Sequence, residues 1–203
     1  MVPERPAVER EVLDAWSAAP PRIPVLVGDC GSGRSTLLLR LADHVGSGRC
    51  LYVDVERASS TPEAFWTAVE AATPYATVSE SSPGPGDRSA RAAFDSLLAH
   101  FEHVRGHNGG IATFLLDEVL ELRAFGSFPG LRDTLPELVR ALERSTNRFV
   151  LSTRFTTRAE RLFQGQGERF LLIGVPPLSV AEVAAALVGA GVSRDRTEYG
   201  ELT

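Results

Sequence analysis

The chain has no lysine; all 21 of its basic residues are arginine. Cysteine is almost as scarce. Cys30 follows the C-terminal end of one expected strand and Cys50 opens another at its N-terminal end. A strand is roughly 17–20 Å long, whereas disulfide-bridged Cα atoms lie about 4.4–6.8 Å apart. The two thiols are therefore expected to be reduced and unpaired, as in a cytosol. No apolar run approaches the roughly 20 residues of a membrane span. The first residues, Met1-Val2-Pro3-Glu4-Arg5, lack the cationic-then-apolar order of a signal peptide. Acidic residues outnumber basic ones, 26 to 21, for a net charge of −5. That balance argues against a broad, non-specific grip of this segment on nucleic acid or an anionic membrane; a local basic patch, or regions beyond this segment, would be the route to nucleic acid. His44, His100, His103 and His107 have no cysteine or carboxylate company at metal-ligand spacing. These absences favour a cytoplasmic protein with no membrane partner, and 203 residues suit one large domain.

What is present is an alternation. Val25–Gly28, Leu51–Val55, Ile111–Leu116, Phe149–Ser152 and Phe170–Ile173 are short, continuous apolar runs, the pattern of strands buried on both faces of a parallel sheet. Helix-like segments lie between them: Ser35–Val45, Pro62–Ala72, Ser89–Val104, Leu135–Arg144 and Thr157–Phe163. Ala7–Ala18 precedes the first strand as an amphipathic helix with Val8, Val12, Leu13 and Trp16 on one side. Val180–Val188 follows the last strand as a helix capped by Ser179, with Glu182 completing a capping box. The alternation predicts an α/β fold of three layers with a five-stranded parallel sheet and helices on both faces. Residues 78–88, rich in Ser, Pro and Gly, read as a mobile surface insertion.

The chemistry is concentrated in Gly28-Asp29-Cys30-Gly31-Ser32-Gly33-Arg34-Ser35-Thr36, between the first strand and its helix. This is the layout of a phosphate-binding P-loop, G-x-x-x-x-G-K-[ST], with Arg34 in the lysine position. Gly28, Gly31 and Gly33 let the backbone turn so that successive N–H groups, that of Ser32 included, converge on phosphates. The helix dipole faces the same point. Ser35 is placed to give its hydroxyl to Mg²⁺, and Thr36 to support the α-phosphate region. Arg34 leaves two outcomes open: its fork holds phosphate bidentately, or its width spoils the geometry of phosphoryl transfer. A second apolar strand ends in Asp117-Glu118. Asp117 would hold Mg²⁺ through its water shell, and Glu118 would polarise the attacking water. A third strand ends in Ser152-Thr153-Arg154, polar residues placed to sense a γ-phosphate. Arg154, Arg158, Arg161 and Arg169 form a cluster read either as solvated charge paired with Glu160 and Glu168, or as a source of an arginine finger.

Taken in this order, the motifs resemble the AAA+/STAND branch of P-loop ATPases, an ASCE-type fold, over nearly the whole chain. Glu9-Arg10-Glu11-Val12-Leu13 is similar to the family's segment near the adenine, Gly28–Thr36 to Walker A, Leu115–Glu118 to Walker B, and Ser152–Arg154 to the sensor strand end. Gly174–Ser179 is similar to the turn into the helical lid, where Pro177 would border the adenine. The resemblance implies ATP and Mg²⁺ as cofactors and Glu118, Arg34 and Arg154 as catalytic residues. It also implies a neighbouring subunit or partner protein that supplies or receives an arginine finger. On this reading residues 1–22 are an N-terminal helix and linker, 23–176 the ATPase core, and 177–203 only the start of a lid. Arg194 and Arg196 come too early for the lid's sensor arginine. A non-hydrolysing nucleotide-dependent scaffold and a P-loop kinase remain alternatives; the Asp117-Glu118 pair favours the ATPase. Without lysine, the N/T-K-x-D guanine-recognition motif has no standard form here.

Overall fold

The computed structural model describes residues 5–46, 48–75, 89–106, 109–165, 167–180 and 183–184. The insertion at 78–88, the bulk of the expected helix Val180–Val188, and Arg194 and Arg196 lie outside the described residues. Helix α1 (Pro6–Ser17) leads into β1 (Ile23–Val27), α2 (Arg34–Val45) and β2 (Leu51–Asp54). There follow α3 (Val55–Ala58), α4 (Pro62–Ala72), α5 (Ala90–His103) and β3 (Thr113–Asp117), then a 3-10 segment, Val119–Ser127. The described core closes with α6 (Thr134–Arg144), β4 (Arg148–Thr153), α7 (Thr156–Phe163) and β5 (Phe170–Gly174). The sheet is five-stranded and parallel, in the order β2-β3-β4-β1-β5. All five expected strands are present.

Alternation along the strands separates two apolar layers. Ile23, Val25, Val27, Val53, Phe114, Leu116, Phe149 and Leu151 pack with α4, α5, α6 and α7 on one face. Leu26, Leu115, Val150 and Ile173 pack with Val8, Val12 and Trp16 of α1 and Leu37, Leu38 and Leu41 of α2 on the other. The Trp16 indole N–H donates to the Phe149 carbonyl (3.2 Å) and fixes α1 against β4. On the first face Phe114 and Phe149 stack at 5.1 Å, with Phe101 edge-on to both. Tyr75 closes the lower edge: its hydroxyl accepts from the Thr113 N–H (2.8 Å) and lies 2.6 Å from the Thr113 carbonyl and 3.0 Å from that of Arg49.

Two elements depart from the sequence reading. Val55 is not the last residue of β2 but the first of α3, because the Asp54 carboxylate accepts from the Arg57 N–H (3.1 Å) and caps a helical turn. Residues Val119–Ser127 form a 3-10 segment whose Val119, Leu120, Leu122 and Phe125 are fully buried, although no periodic pattern marks them.

His100 sits inside the aromatic layer, 5.5 Å from Trp66 and 5.8 Å from Phe114 between ring centres. Burial pulls its pKa down from the usual 6.5 to about 4. The folded form holds it neutral while the unfolded chain protonates it, so its contribution is complete above pH 6.5 and is lost as pH falls toward 4. Denaturant titrations from pH 7.5 to 4 should show roughly 3 kcal/mol of stability lost through this residue. His100→Leu should remove that part of the slope.

Candidate phosphate-binding site

The sheet order puts β4 between β1 and β3, and their C-terminal ends come level, with Val27 beside Thr153 and Leu116 beside Leu151. The loop after β1 and the carboxylates after β3 therefore face each other across the end of β4, at a reversal of strand order where open α/β sheets form their clefts. Gly28 begins the loop in tight quarters: a Cβ there would stand 2.4 Å from the Val175 carbonyl. Gly33, at φ +89°, ends it as the N-cap of α2 and has no side chain with which to cap the helix. A Cβ on Gly31 or Gly33 would meet nothing within 4 Å, so the space before the loop is open. The first-turn amides of α2 face that space, an arrangement that suits an anion. Ser32 is buried beneath the loop, Ser35 is exposed at the helix start and Thr36 is half-buried.

Arg34 is buried with its charge turned inward, at 6 % exposure. Its Nη1 donates to the carbonyls of Gly28 and Asp29 (2.9 Å to the latter) and lies 3.4 Å from Ser32 Oγ. Its Nη2 donates to Glu118 Oε1 at 2.5 Å. The guanidinium thus ties the loop directly to the second carboxylate after β3. Glu118 adopts the left-handed conformation (φ +53°), uncommon outside glycine and costly by about 1–2 kcal/mol. Its backbone N–H donates to Ser152 Oγ (3.1 Å), and its Oε2 accepts from the Arg154 N–H (3.0 Å). Both carboxylate oxygens are therefore already engaged. Asp117 is held in the same way: Ser152 Oγ donates to Oδ1 and the Tyr52 hydroxyl to Oδ2 (3.0 Å). Burial, reinforced by the Asp117 charge, pushes the Tyr52 phenol well above its usual pKa and keeps it a donor.

Arg154 is half-buried between Glu56 Oε2 (2.8 Å) and Glu121 Oε1 (2.5 Å), with Glu118 Oε2 at 3.9 Å. The bond from Arg154 holds the Glu56 carboxyl below its usual range. The expected pairing of the arginine cluster with Glu160 and Glu168 is not found among the described residues. Arg169 is remote from the others and donates to the carbonyls of Pro21 (3.0 Å) and Ser145 (2.7 Å).

On the other side of the loop, Arg5, Glu9, Gly33, Thr36, Leu37, Arg40 and Leu178 line a small cavity of about 30 Å³. Arg5 Nη2 spans it, donating to the carbonyls of Pro176 (2.9 Å) and Ser32 (3.4 Å). Pro177 is exposed; its neighbour Leu178 lines the cavity. Sequence reasoning did not single out Tyr52, Arg5, Glu56 or Glu121. Leu51 and Val53 point into one face, so Tyr52 had to point into the other, but its contact with Asp117 exists only because β2 pairs with β3. Among the described residues no three His, Cys, Asp or Glu side chains converge on a metal position. The nearby donors, the exposed Ser35 hydroxyl and Asp117, suit Mg²⁺, which keeps waters and takes phosphate oxygens rather than a protein cage.

No protein-family model matches the chain, and no curated protein matches it. Its structure is similar to the ORC2 protein of Aeropyrum pernix solved as ADPNP-ADP complexes (TM-score 0.53, 18% identity, 95% of this chain and 54% of that one). It is also similar to the Walker-type ATPase paby2304 of Pyrococcus abyssi (TM-score 0.62, 14% identity, 95% and 60%). A third likeness is to the Hsp104-ADP complex of S. cerevisiae (TM-score 0.57, 17% identity, 93% and 24%). The chain spans 60% or less of the length of each of these. At these identities the likeness establishes the fold: the chain has the α/β P-loop fold of AAA+ ATPase domains. No helix among the described residues is long and apolar enough to cross a membrane.

The buried pair makes a prediction about stability. Glu118→Ala leaves the Arg34 charge without its carboxylate and should lower the unfolding free energy, without nucleotide, by about 3 kcal/mol. The double substitution Arg34→Met, Glu118→Leu should recover most of it. Urea denaturation of the three proteins, the unaltered chain included, reads both effects.

Proposed function

We propose that this domain binds Mg-ATP at the loop 28–36 and hydrolyses it, with Arg34 in the role of the usual P-loop lysine. The observation that carries the reading is the 2.5 Å contact between Arg34 and Glu118. It couples the group suited to holding phosphate to the group suited to activating water. Triphosphate entering the loop offers the guanidinium a denser negative charge than one carboxylate and two carbonyls. Arg34 then turns its fork to the β- and γ-phosphates, and Glu118 Oε1 is set free. The amides of the loop and of the first turn of α2 take the remaining phosphate oxygens, except that of Ser32, which already donates to the Asp29 carbonyl (3.1 Å). Ser35 and Asp117 would hold Mg²⁺, largely through its water shell, and the bound ion would supply positive charge to the phosphates.

Glu118, once free, accepts a proton from a water whose oxygen attacks the γ-phosphorus. The bond to the β–γ bridging oxygen breaks, and ADP leaves with its electron pair. Ser152 keeps Asp117 and Glu118 in register from below, and Arg154 fixes Glu118 Oε2 through its backbone N–H. The adenine goes to the side of Glu9, Thr36 and Leu178, where the cavity must widen by movement of the Arg5 strap. Adenine nucleotides in the ORC2 and Hsp104 structures support ATP as the ligand. A second reading is a non-hydrolysing switch that binds ATP without turnover. It is favoured by the engagement of both Glu118 oxygens in this structure.

Calorimetric titration with Mg-ATP, beside phosphate release on the same sample, separates the readings. The ATPase predicts binding with slow release that falls at least 100-fold in Glu118→Gln while binding persists. Arg34→Lys should raise release at least tenfold, because lysine restores the slim point charge. Binding with no release, unchanged in Glu118→Gln, supports the switch.

A further inference from the structure

A second cleft lies on the far side of the β4 end from the adenine-side cavity. It measures about 560 Å³ and is lined by Asp29, Arg123, Phe155, Arg158, Arg161 and neighbours that include Arg154. Four guanidiniums from three elements converge there: Arg123 from the 3-10 segment, Arg154 from the end of β4, and Arg158 and Arg161 from α7. Three of them gather on one ring, with Arg123, Arg154 and Arg158 at 4.4, 4.9 and 5.9 Å from the centre of Phe155. An aromatic face stabilises such a cation without using its N–H donors.

The charges do not cancel. Arg123 is paired with Glu121 (3.0 Å), and Arg154 with Glu56 and Glu121. Arg158 and Arg161 have no carboxylate partner among the described residues. Asp29 is the single carboxylate on the lining. Two exposed guanidiniums one helical turn apart are left to face a concave, open space.

We infer that this cleft, which borders the loop 28–36 at Asp29, is a second phosphate-binding site, built by Arg123, Arg158 and Arg161 on the Phe155 platform. Planar forks converging from two elements suit the tetrahedral, multiply charged oxygens of an oligophosphate better than a single carboxylate. The volume falls within the roughly 300–1,000 Å³ of small-ligand sites. The same phosphate chemistry comes from two sources, a free oligophosphate or the phosphorylated end of a single-stranded nucleic acid. The inference does not require ATP at the loop 28–36.

The test is calorimetry at fixed ionic strength with tripolyphosphate as the probe. Three proteins are compared: the unaltered chain, Arg158→Glu with Arg161→Glu, and Gly31→Glu, whose new carboxylate projects into the open mouth of the P-loop. Both arginines are exposed, so the double variant should fold, and Mg-ATP titration of it reports on the P-loop separately. The site predicts tripolyphosphate binding at least tenfold weaker in the double variant and retained in Gly31→Glu. A hexanucleotide with and without a 5′-phosphate then distinguishes the sources: at least tenfold preference for the phosphorylated form assigns a nucleic-acid end, and no preference assigns the free oligophosphate. Three results would overturn the inference: tripolyphosphate binding lost only in Gly31→Glu, binding indifferent to the two arginines, or hexaglutamate bound in place of tripolyphosphate.

Discussion

Arg34 and Glu118 meet in a place where neither is independently tolerable. A guanidinium at 6 % exposure and a carboxylate at 8 % each need a partner, and each is the other's. The contact spans 84 positions of sequence and joins the loop after β1 to the end of β3. Everything around it serves to hold that juxtaposition. Gly28 lets the loop press on the exit of β5, Glu118 accepts an unfavourable backbone conformation, and Ser152 on the intervening strand bonds to both acidic residues. The contact closes the site on itself. On the proposed function, the cation that would meet phosphate is held by the carboxylate that would meet water.

This arrangement depends on strand order more than on any local motif. Were β1 and β3 adjacent, no Ser152 would lie between them to tie Asp117 to Glu118, and no Arg154 amide would reach Glu118 Oε2. The parallel sheet brings five strand ends to one edge, and the two apolar layers keep that edge rigid.

Much of the frame was legible in the sequence because burial on both faces writes continuous apolar runs, and all five strands follow them. Helices α1, α2 and α4 to α7 lie where helix-like segments were read before and between the strands; the structure adds the caps Thr61 and Ser89. The 3-10 segment Val119–Ser127 was not legible, since its buried residues follow no 3.6 or 2.0 period. In the candidate site, the loop, Asp117-Glu118 and Arg154 were picked out by their places at strand ends, and the structure places Arg34 and Arg154 against Glu118. Their bonding was not. Spacing says that Arg34 stands where phosphate would be met, but not that its fork turns back to Glu118. It marks a run of arginines, but not that Arg169 leaves the group while Arg123, far away in sequence, joins it. Such facts belong to pairings between strands and to which carboxylate lies nearest in space.

A structure with Mg²⁺ and a non-hydrolysable ATP analogue tests the central claim most directly, through the distance between Arg34 Nη2 and Glu118 Oε1. The account predicts that the 2.5 Å contact opens, with the guanidinium against the β- and γ-phosphates and the Glu118 carboxylate free to face a water. A triphosphate seated in the loop with the pair still closed would contradict it.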